Sequence, residues 1–240
     1  QLPQAFVERM AARLKDELPA FLRSYEEPYC RGIRFQPGKL VPPAAWPAGV
    51  GEQIPWEPAA RYLAMESDAG TMVLHEAGGW YLQEPSAMAP VAALNPQPGE
   101  RVLDLCAAPG GKSTQIAAHL GGKGLLVSNE AVPKRAAVLS RNLERMGATN
   151  ALAVSAYPDQ LAAQWPAYFD AVLVDAPCSG EGMFRRHPET REEWSPEAPA
   201  GCAKRQREIL AAAARLVRPG GRMVYSTCTL CKEENEGVVA

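Results

Sequence analysis

The sequence predicts an α/β protein: a parallel sheet wound on both faces by helices, preceded by a small α+β N-terminal domain. Three observations predict it. From Arg101 onward, short apolar runs alternate with helical stretches. The first of these runs leads into a turn of small residues that opens a helix. Six prolines between Pro37 and Pro58 keep the first part of the chain out of that alternation. In folds of this kind, ligands bind beyond the carboxyl ends of the parallel strands.

In chain order, Phe6, Met10, Leu14 and Leu18 recur four apart with charges between, which predicts an amphipathic helix over Pro3–Leu18, and Pro19 restarts a second one. The proline density of Pro37–Pro58 excludes helix and central strand, and predicts an extended surface loop. Thr71–Leu82 reads as a hairpin, with Thr71–His75 and Trp80–Leu82 joined through Gly78-Gly79. The strands of the main sheet are then Arg101–Cys106, Gly124–Ser128, Ala151–Ser155, Ala171–Asp175 and Arg222–Thr227. Between them lie helices such as Val132–Met146, with Pro133 at its start and Gly147 after its end, and Ala203–Val217. This places a small N-terminal domain over residues 1–75 and the ligand-binding domain over 76–240.

Composition narrows the function classes. The 240 residues are 47% hydrophobic, enough for one sizeable core, and no apolar run is long enough to span a membrane. Nor do the first residues read as a signal peptide, so the expected location is the cytoplasm. Six cysteines are too sparse for a disulfide framework and read as free thiols. A formal charge of −2 gives no basic footprint over the whole chain, so any contact with nucleic acid must rest on a local patch or on a further segment. The chain starts at Gln1 and stops within an expected helix, Glu233–Ala240, so the larger domain reads as C-terminally incomplete.

Three motifs carry the chemistry. In Val102–Thr114, a strand enters the turn Cys106-Ala107-Ala108-Pro109-Gly110-Gly111-Lys112, whose glycines allow close backbone approach at a helix amino end. A phosphate-binding loop would need glycine where Cys106 stands, and the dinucleotide pattern Gly-x-Gly-x-x-Gly is absent. Glu130, at the end of the second strand, is placed as a ribose-binding acid would be. A glycine turn and a ribose acid without a phosphate cradle suit S-adenosylmethionine. The bland alternative is a tight turn that binds nothing.

The second motif, Val172–Gly182, puts Asp175 and Cys178 just beyond a strand; on its own Cys178 is as well explained as a small buried hydrophobe. The third, Val224–Cys231, contains Cys228 and Cys231 in a Cys-x-x-Cys. Zinc would need a second ligand pair, but His75, His119 and His187 are isolated. A thioredoxin-like motif would follow the first strand of its fold, not the fifth, and Cys231 reads as incidental. Arg185, Arg186 and His187 form the nearest basic cluster, with a solvated surface patch as the plain alternative.

Together Asp104–Thr114, Asp175–Gly182 and Ser226–Glu236 resemble, in order and spacing, the motifs of the Sun/RsmF family of RNA 5-methylcytosine methyltransferases. Gln83–Met88 and Glu27–Arg34 extend the resemblance over essentially the whole chain, and Gly180–Arg185 with Glu193–Glu197 look most like the RsmF branch, which acts on 16S ribosomal RNA. The resemblance implies a Rossmann-like class I methyltransferase sheet and S-adenosyl-L-methionine as cofactor. It implies a monomer whose partner is RNA, above all ribosomal RNA, free or within the small ribosomal subunit. It also implies that Cys106–Lys112 and Glu130 hold the cofactor, that Asp175 lies between cofactor and base, that Cys228 is the nucleophile, and that Cys178 assists release. Tyr157 stands where the family has an acid facing adenine, so a stacking ring replaces that contact. Transfer RNA as substrate, and a catalytically silent assembly factor, are the alternatives.

The chemistry explains a two-cysteine requirement. C5 of cytosine is too electron-poor to attack a methyl sulfonium until a thiolate adds at C6. Removal of the C5 proton and expulsion of the thiol then need a second group. Related DNA enzymes attack from the Pro-Cys position, so the roles of Cys178 and Cys228 could be reversed. The base must leave any helix to be reached, so the substrate is single-stranded or locally opened.

Overall fold

The structure, a computed structural model, describes residues 1–39 and 41–240. Helices α1 (Gln4–Leu14) and α2 (Leu18–Arg23) come first, joined by a single 3-10 turn. Strands β1 (Arg31–Phe35), β2 (Val50–Gln53) and β3 (Ala60–Leu63) follow, then α3 (Val73–Glu76), β4 (Trp80–Leu82) and α4 (Pro85–Leu94). The alternating part comprises β5 (Arg101–Asp104), α5 (Gly111–Leu120), β6 (Leu125–Asn129), α6 (Pro133–Met146), β7 (Ala151–Val154), α7 (Pro158–Gln164) and β8 (Phe169–Asp175). The chain closes with α8 (Thr190–Glu193), α9 (Ala198–Leu216), β9 (Val217–Ser226) and α10 (Glu236–Val239).

Two compact units result. One consists of Gln1–Tyr29, Ala176–Ile209 and Ser226–Ala240, the other of Cys30–Asp175 and Leu210–Tyr225. The second unit holds the five-stranded sheet, in the order β7-β6-β5-β8-β9, with β7, β6, β5 and β8 paired in parallel. Its core is built from the expected apolar runs: Val102, Leu126, Ala171 and Leu173 pack with Ile116 and Leu120 of α5 and Leu139 and Leu143 of α6. The expected strands match the observed ones to within two residues, except the last. There β9 begins at Val217 and runs through Pro219, which is tolerated because β9 is an edge strand with no further neighbour. α6 ends as predicted on Gly147 in the left-handed region (φ 74°).

The same unit contains a second sheet, antiparallel where its pairs are described, in the order β2-β3-β1-β4. The proline-rich segment forms two 3-10 turns and contributes β2, at the edge, as its composition allows. The hairpin expected over Thr71–Leu82 does not form. Thr71–His75 is no strand; Val73–Glu76 make one helical turn, and β4 pairs with β1 instead (Ile33 with Leu82, Phe35 with Trp80). Local bonds explain this: the N–H groups of Gly78 and Gly79 donate to the carbonyls of His75 and Leu74, and Arg145 Nη1 donates to His75 O at 2.6 Å. Gly78 lies so close to α6 that a Cβ there would be 1.8 Å from the Arg145 carbonyl oxygen.

The first unit is held by an aromatic cluster. Phe6 and Met10, on the face of α1 that the sequence marked, are buried against Phe184, with Phe21, Tyr25 and Trp194 around them. The ring centroids of Phe6 and Phe184 are 5.2 Å apart, nearly perpendicular, the edge-to-face arrangement favoured by ring quadrupoles. The last helix starts at Glu236 and not at Glu233. Asn235 is the reason, for its amide donates to Thr229 O and Cys231 O and accepts from Thr227 Oγ1 at 2.6 Å, which holds residues 232–235 in a turn. Among the described residues no helix is long and apolar enough to cross a membrane.

Phe6→Ala empties the centre of the aromatic cluster and is expected to lower unfolding free energy by about 3–5 kcal/mol. Denaturant titration of both proteins measures this; a loss below about 1 kcal/mol would place the organising contact of this unit elsewhere.

Candidate active site

In the sheet-bearing unit, every candidate sits at the carboxyl end of a parallel strand, as strand order requires. Beyond β5, the turn Cys106–Gly110 enters α5 through Gly110, whose φ of 114° is a conformation that side chains disfavour. A Cβ there would also crowd Leu139 and Asn142 at 3.2 and 3.3 Å. The turn's polar groups are fixed from β6 and α6. Ala107 N–H donates to Asn129 O at 2.8 Å, Asn142 donates to Pro109 O at 2.8 Å, and Arg135 donates to Ala108 O at 3.3 Å. The backbone is therefore held in shape by partners outside the turn.

Three carboxylates collect around it. Glu130, 5% exposed after β6, accepts from Val132 N–H at 3.0 Å and faces Arg135 at 3.3 Å. Asp175, the last residue of β8, accepts from Lys112 Nζ at 2.7 Å. Asp104, the last residue of β5, is fully buried; one oxygen accepts from Ser113 Oγ at 2.7 Å and the other has no partner. Burial pushes the Asp104 carboxyl up to about 7, with Asp175 and Glu130 adding to the effect and Ser113 and Lys112 opposing it. Burial and the same three acids push the Cys106 thiol up to about 12, so Cys106 is no nucleophile at neutral pH. Tyr157 begins α7 beyond β7 with its ring 68% exposed, open to stacking on a ligand.

The thiols belong to the other unit. Cys178 and Cys228 come from loops fifty residues apart, yet their Sγ atoms are 3.2 Å apart. Cys228 N–H donates to Cys178 Sγ at 3.3 Å, and Gly182 N–H donates to Cys228 O at 2.8 Å. Gly182 is required at this approach, since a Cβ would stand 2.7 Å from that carbonyl oxygen. The hydrogen bond with Cys228 and burial both raise the Cys178 pKa far above that of a free thiol, so Cys178 keeps its proton. Cys228 is exposed and Cys178 partly covered. Cys231 is buried and its thiol donates to Glu233 at 2.8 Å.

The basic cluster is partly engaged within its own unit. Arg185 donates to Ser24 O at 3.1 Å, the Arg186 guanidinium lies 5.7 Å from the Tyr29 ring centroid, and His187 faces Glu189 at 3.0 Å. Sequence reasoning missed Asp104 as a site group and two fully buried glutamates beside the thiol loops, Glu181 and Glu234. Acids inside motifs were the available signal for Asp104 and Glu181.

Residues 91–240 match the family described as 16S rRNA methyltransferase RsmB/F, and residues 2–85 match the N-terminal domain of 16S rRNA methyltransferase RsmF. The ribosomal RNA small subunit methyltransferase F of Klebsiella pneumoniae is 40% identical over 99% of this chain and 52% of its own length. The chain thus spans about half the length of the curated relatives it matches. Among solved structures, PH0851 is similar with a TM-score of 0.88 at 30% identity, covering 99% of this chain and 55% of that one. A methyltransferase homolog protein from Pyrococcus horikoshii has a TM-score of 0.79 at 25% identity, over 99% of this chain and 81% of that one.

Asp104 makes stability depend on pH in a particular direction. Its folded pKa, about 7, lies above its ordinary value of 3.8, so the native state holds a proton that the unfolded chain releases. Between those values the native state binds more protons, so this residue's contribution falls as pH rises, by at most about 4 kcal/mol in total. Asp104→Asn should remove that decline. Unfolding free energies of both proteins between pH 4 and 7.5 give the test, and parallel curves would show that Asp104 is ionised in the native state.

Proposed function

Because the chain belongs to the RsmB/F family of 16S rRNA methyltransferases, we propose that it transfers a methyl group from S-adenosylmethionine to C5 of a cytosine in 16S ribosomal RNA. The observation that carries this reading is the pair of thiols, Cys178 and Cys228, 3.2 Å apart on the two motif loops. A single thiol would serve many reactions. Two in contact, one holding its proton and the other exposed, match a reaction in which one adds to the base and the other completes the exchange.

The residues present fit the cofactor. S-adenosylmethionine is a cation with an ammonium group and ribose hydroxyls, so it needs acceptors and negative charge. The turn offers both in Glu130, Asp175 and the partnerless oxygen of Asp104. A dinucleotide, with its anionic pyrophosphate, would meet repulsion from the same groups. When bound, the cofactor supplies a methyl group activated by its sulfonium. Cys106–Lys112 would hold its methionine portion, Glu130 its ribose hydroxyls and Tyr157 the adenine face. Asp175, anchored by Lys112, offers an acceptor to the exocyclic amine of cytosine.

On the base, Cys228 adds to C6, which makes C5 an enamine carbon able to take the methyl group. Cys178 then gives its proton to the departing Cys228 sulfur and takes the C5 proton in exchange, so that the C6–S bond breaks, the C5–C6 double bond re-forms and both thiols are restored. The environments favour this order over the reverse. Cys228 is the more exposed of the two, whereas Cys178 is partly covered and tethered by the Cys228 N–H, so the freer sulfur is the better placed to reach a base. The open base that such attack needs is found in single-stranded or loop segments of ribosomal RNA.

Two measurements test the reading. Glu130→Ala should weaken S-adenosylmethionine binding roughly 10- to 100-fold by calorimetry, the equivalent of one hydrogen bond to a charged group; unchanged affinity would remove Glu130 from the cofactor site. With full-length protein, cofactor and 16S RNA, bisulfite sequencing should show a new 5-methylcytosine. Cys178→Ala should then accumulate a denaturant-resistant protein–RNA complex, and Cys228→Ala should form none. The opposite pattern would give the attacking role to Cys178.

A further inference from the structure

We propose that Glu234 is a positioning residue for the two-thiol chemistry, its buried carboxylate fixing the loop of Cys178 against the loop of Cys228. The inference rests on the functional reading above and deepens it. Glu234 is fully buried and accepts from both loops. On the Cys178 side, Ser179 N–H donates to Oε2 at 2.9 Å and Ser179 Oγ donates to Oε1. On the Cys228 side, Thr229 Oγ1 lies 3.1 Å from Oε1 and 2.9 Å from Ser179 Oγ. Each hydroxyl has one proton, so Thr229 donates either to the carboxylate or to Ser179, and in both cases the loops are joined. Gln206 of α9 adds a third tether, donating to Oε2 at 2.9 Å and to Pro177 O at 2.9 Å, and the Cys202 thiol of the same helix also bonds to the carboxylate.

Two arguments separate this role from simple packing. Removing a carboxylate from water costs several kcal/mol unless hydrogen bonds replace the solvent, and an apolar side chain would fill the same space without that cost. Moreover, two of the residues bonded to Glu234 are immediate neighbours of the thiols, Ser179 after Cys178 and Thr229 after Cys228. Glu181, the other fully buried glutamate here, accepts from Leu230 N–H at 3.3 Å but is dominated by its ion pair with Arg9 of α1 and its bond from Trp194, neither of which adjoins a thiol. The consequence for catalysis is specific. Attack by Cys228 needs only that loop, whereas release needs Cys178 held at a fixed distance from it. A displacement of even 1 Å can cost on the order of a hundredfold in rate.

The test uses the full-length protein with S-adenosylmethionine and 16S RNA. Glu234→Gln is expected to slow product release on the order of tenfold or more while attack persists, so a denaturant-resistant protein–RNA complex accumulates as it does for Cys178→Ala. A purely structural defect would lower attack and release together and leave no complex. A second readout needs no RNA: phenylarsine oxide bridges two neighbouring thiols with loss of water. Its binding should be tight in the wild type, lost in Cys178→Ala, and weakened at least about tenfold in Glu234→Gln. If Glu234→Gln does not fold, Ser179→Ala removes one hydroxyl tether, keeps the backbone bond and should shift both readouts in the same direction. Wild-type release together with wild-type arsenical affinity would overturn the proposal. If the wild-type protein leaves the RNA unmethylated, the functional reading fails, and the arsenical arm alone still decides whether Glu234 sets the thiol separation.

Discussion

Parallel pairing of β5 with β6 on one side and β8 on the other constrains the whole sheet-bearing unit, because it brings three chain reversals to one edge. Each strand ends in an acid or delivers one within a residue: Asp104, Glu130 and Asp175. None of these three acids is near another in sequence, and the influence of Glu130 and Asp175 on Asp104 and Cys106 comes from the strand register. Such concentration of acids costs stability in the unliganded protein, most clearly at Asp104, whose carboxyl is held to its proton by burial and its neighbours and whose second oxygen has no partner. A cationic ligand reverses the sign of that cost. The electrostatics of the edge thus favour a sulfonium over a phosphate-bearing nucleotide before any specific contact is considered.

Hydrogen bonds of a different kind hold the proposed catalytic thiols. No strand ladder runs through Cys178 or Cys228; side chains and loop backbone set their separation. Gly182 N–H, Cys228 N–H and the Glu234 carboxylate each join one loop to the other. Loops held this way are stiff only as long as every member of the network is satisfied, which explains a fully buried carboxylate with donors on both of its oxygens. The aromatic cluster around Phe6 and Phe184 supplies the apolar support, and the segment between Gly182 and Trp194 links the two.

Much of this was legible in the sequence, for identifiable reasons. Strands β5, β6 and β8 of the main sheet were visible because buried parallel strands read as apolar runs, and Gly110 and Gly147 punctuate the turns around them. The thiol and turn motifs were visible because chemistry restricts residue type. Thr71–His75 misled because the consecutive apolar residues Met72, Val73 and Leu74 imitate a buried strand, although Val73 is 84% exposed and the backbone closes on itself. β3 went unremarked because Ala60–Leu63 is short and follows Pro58, yet it is central in its sheet. Glu234 was hidden for a similar reason. It sits in the run Glu233-Glu234-Asn235-Glu236, which reads as a solvated helix face, and only the turn held by Asn235 sends one of these acids inward while its neighbours stay exposed.

That inward turn bears on the roles proposed for the two thiols. Sequence motifs alone leave the roles of Cys178 and Cys228 exchangeable, because each follows a strand and each is followed by a hydroxyl residue, Ser179 or Thr229. The local environments are not exchangeable. Cys178 receives the Cys228 N–H, is partly covered, and is held to its proton by its neighbour and by burial. Cys228 is exposed, with its carbonyl fixed by Gly182 and its flanking threonines engaged with Asn235 and Glu234. A nucleophile must advance onto the ring carbon and leave it again, so the more accessible sulfur suits that task. An acid–base partner need only exchange a proton at short range, which suits the thiol that is less accessible and more tightly tethered. Reversing the roles would ask the covered, protonated sulfur to travel and the exposed one to stay. The asymmetry therefore resides in burial and hydrogen bonding around two chemically identical groups, and a cysteine count could not reveal it.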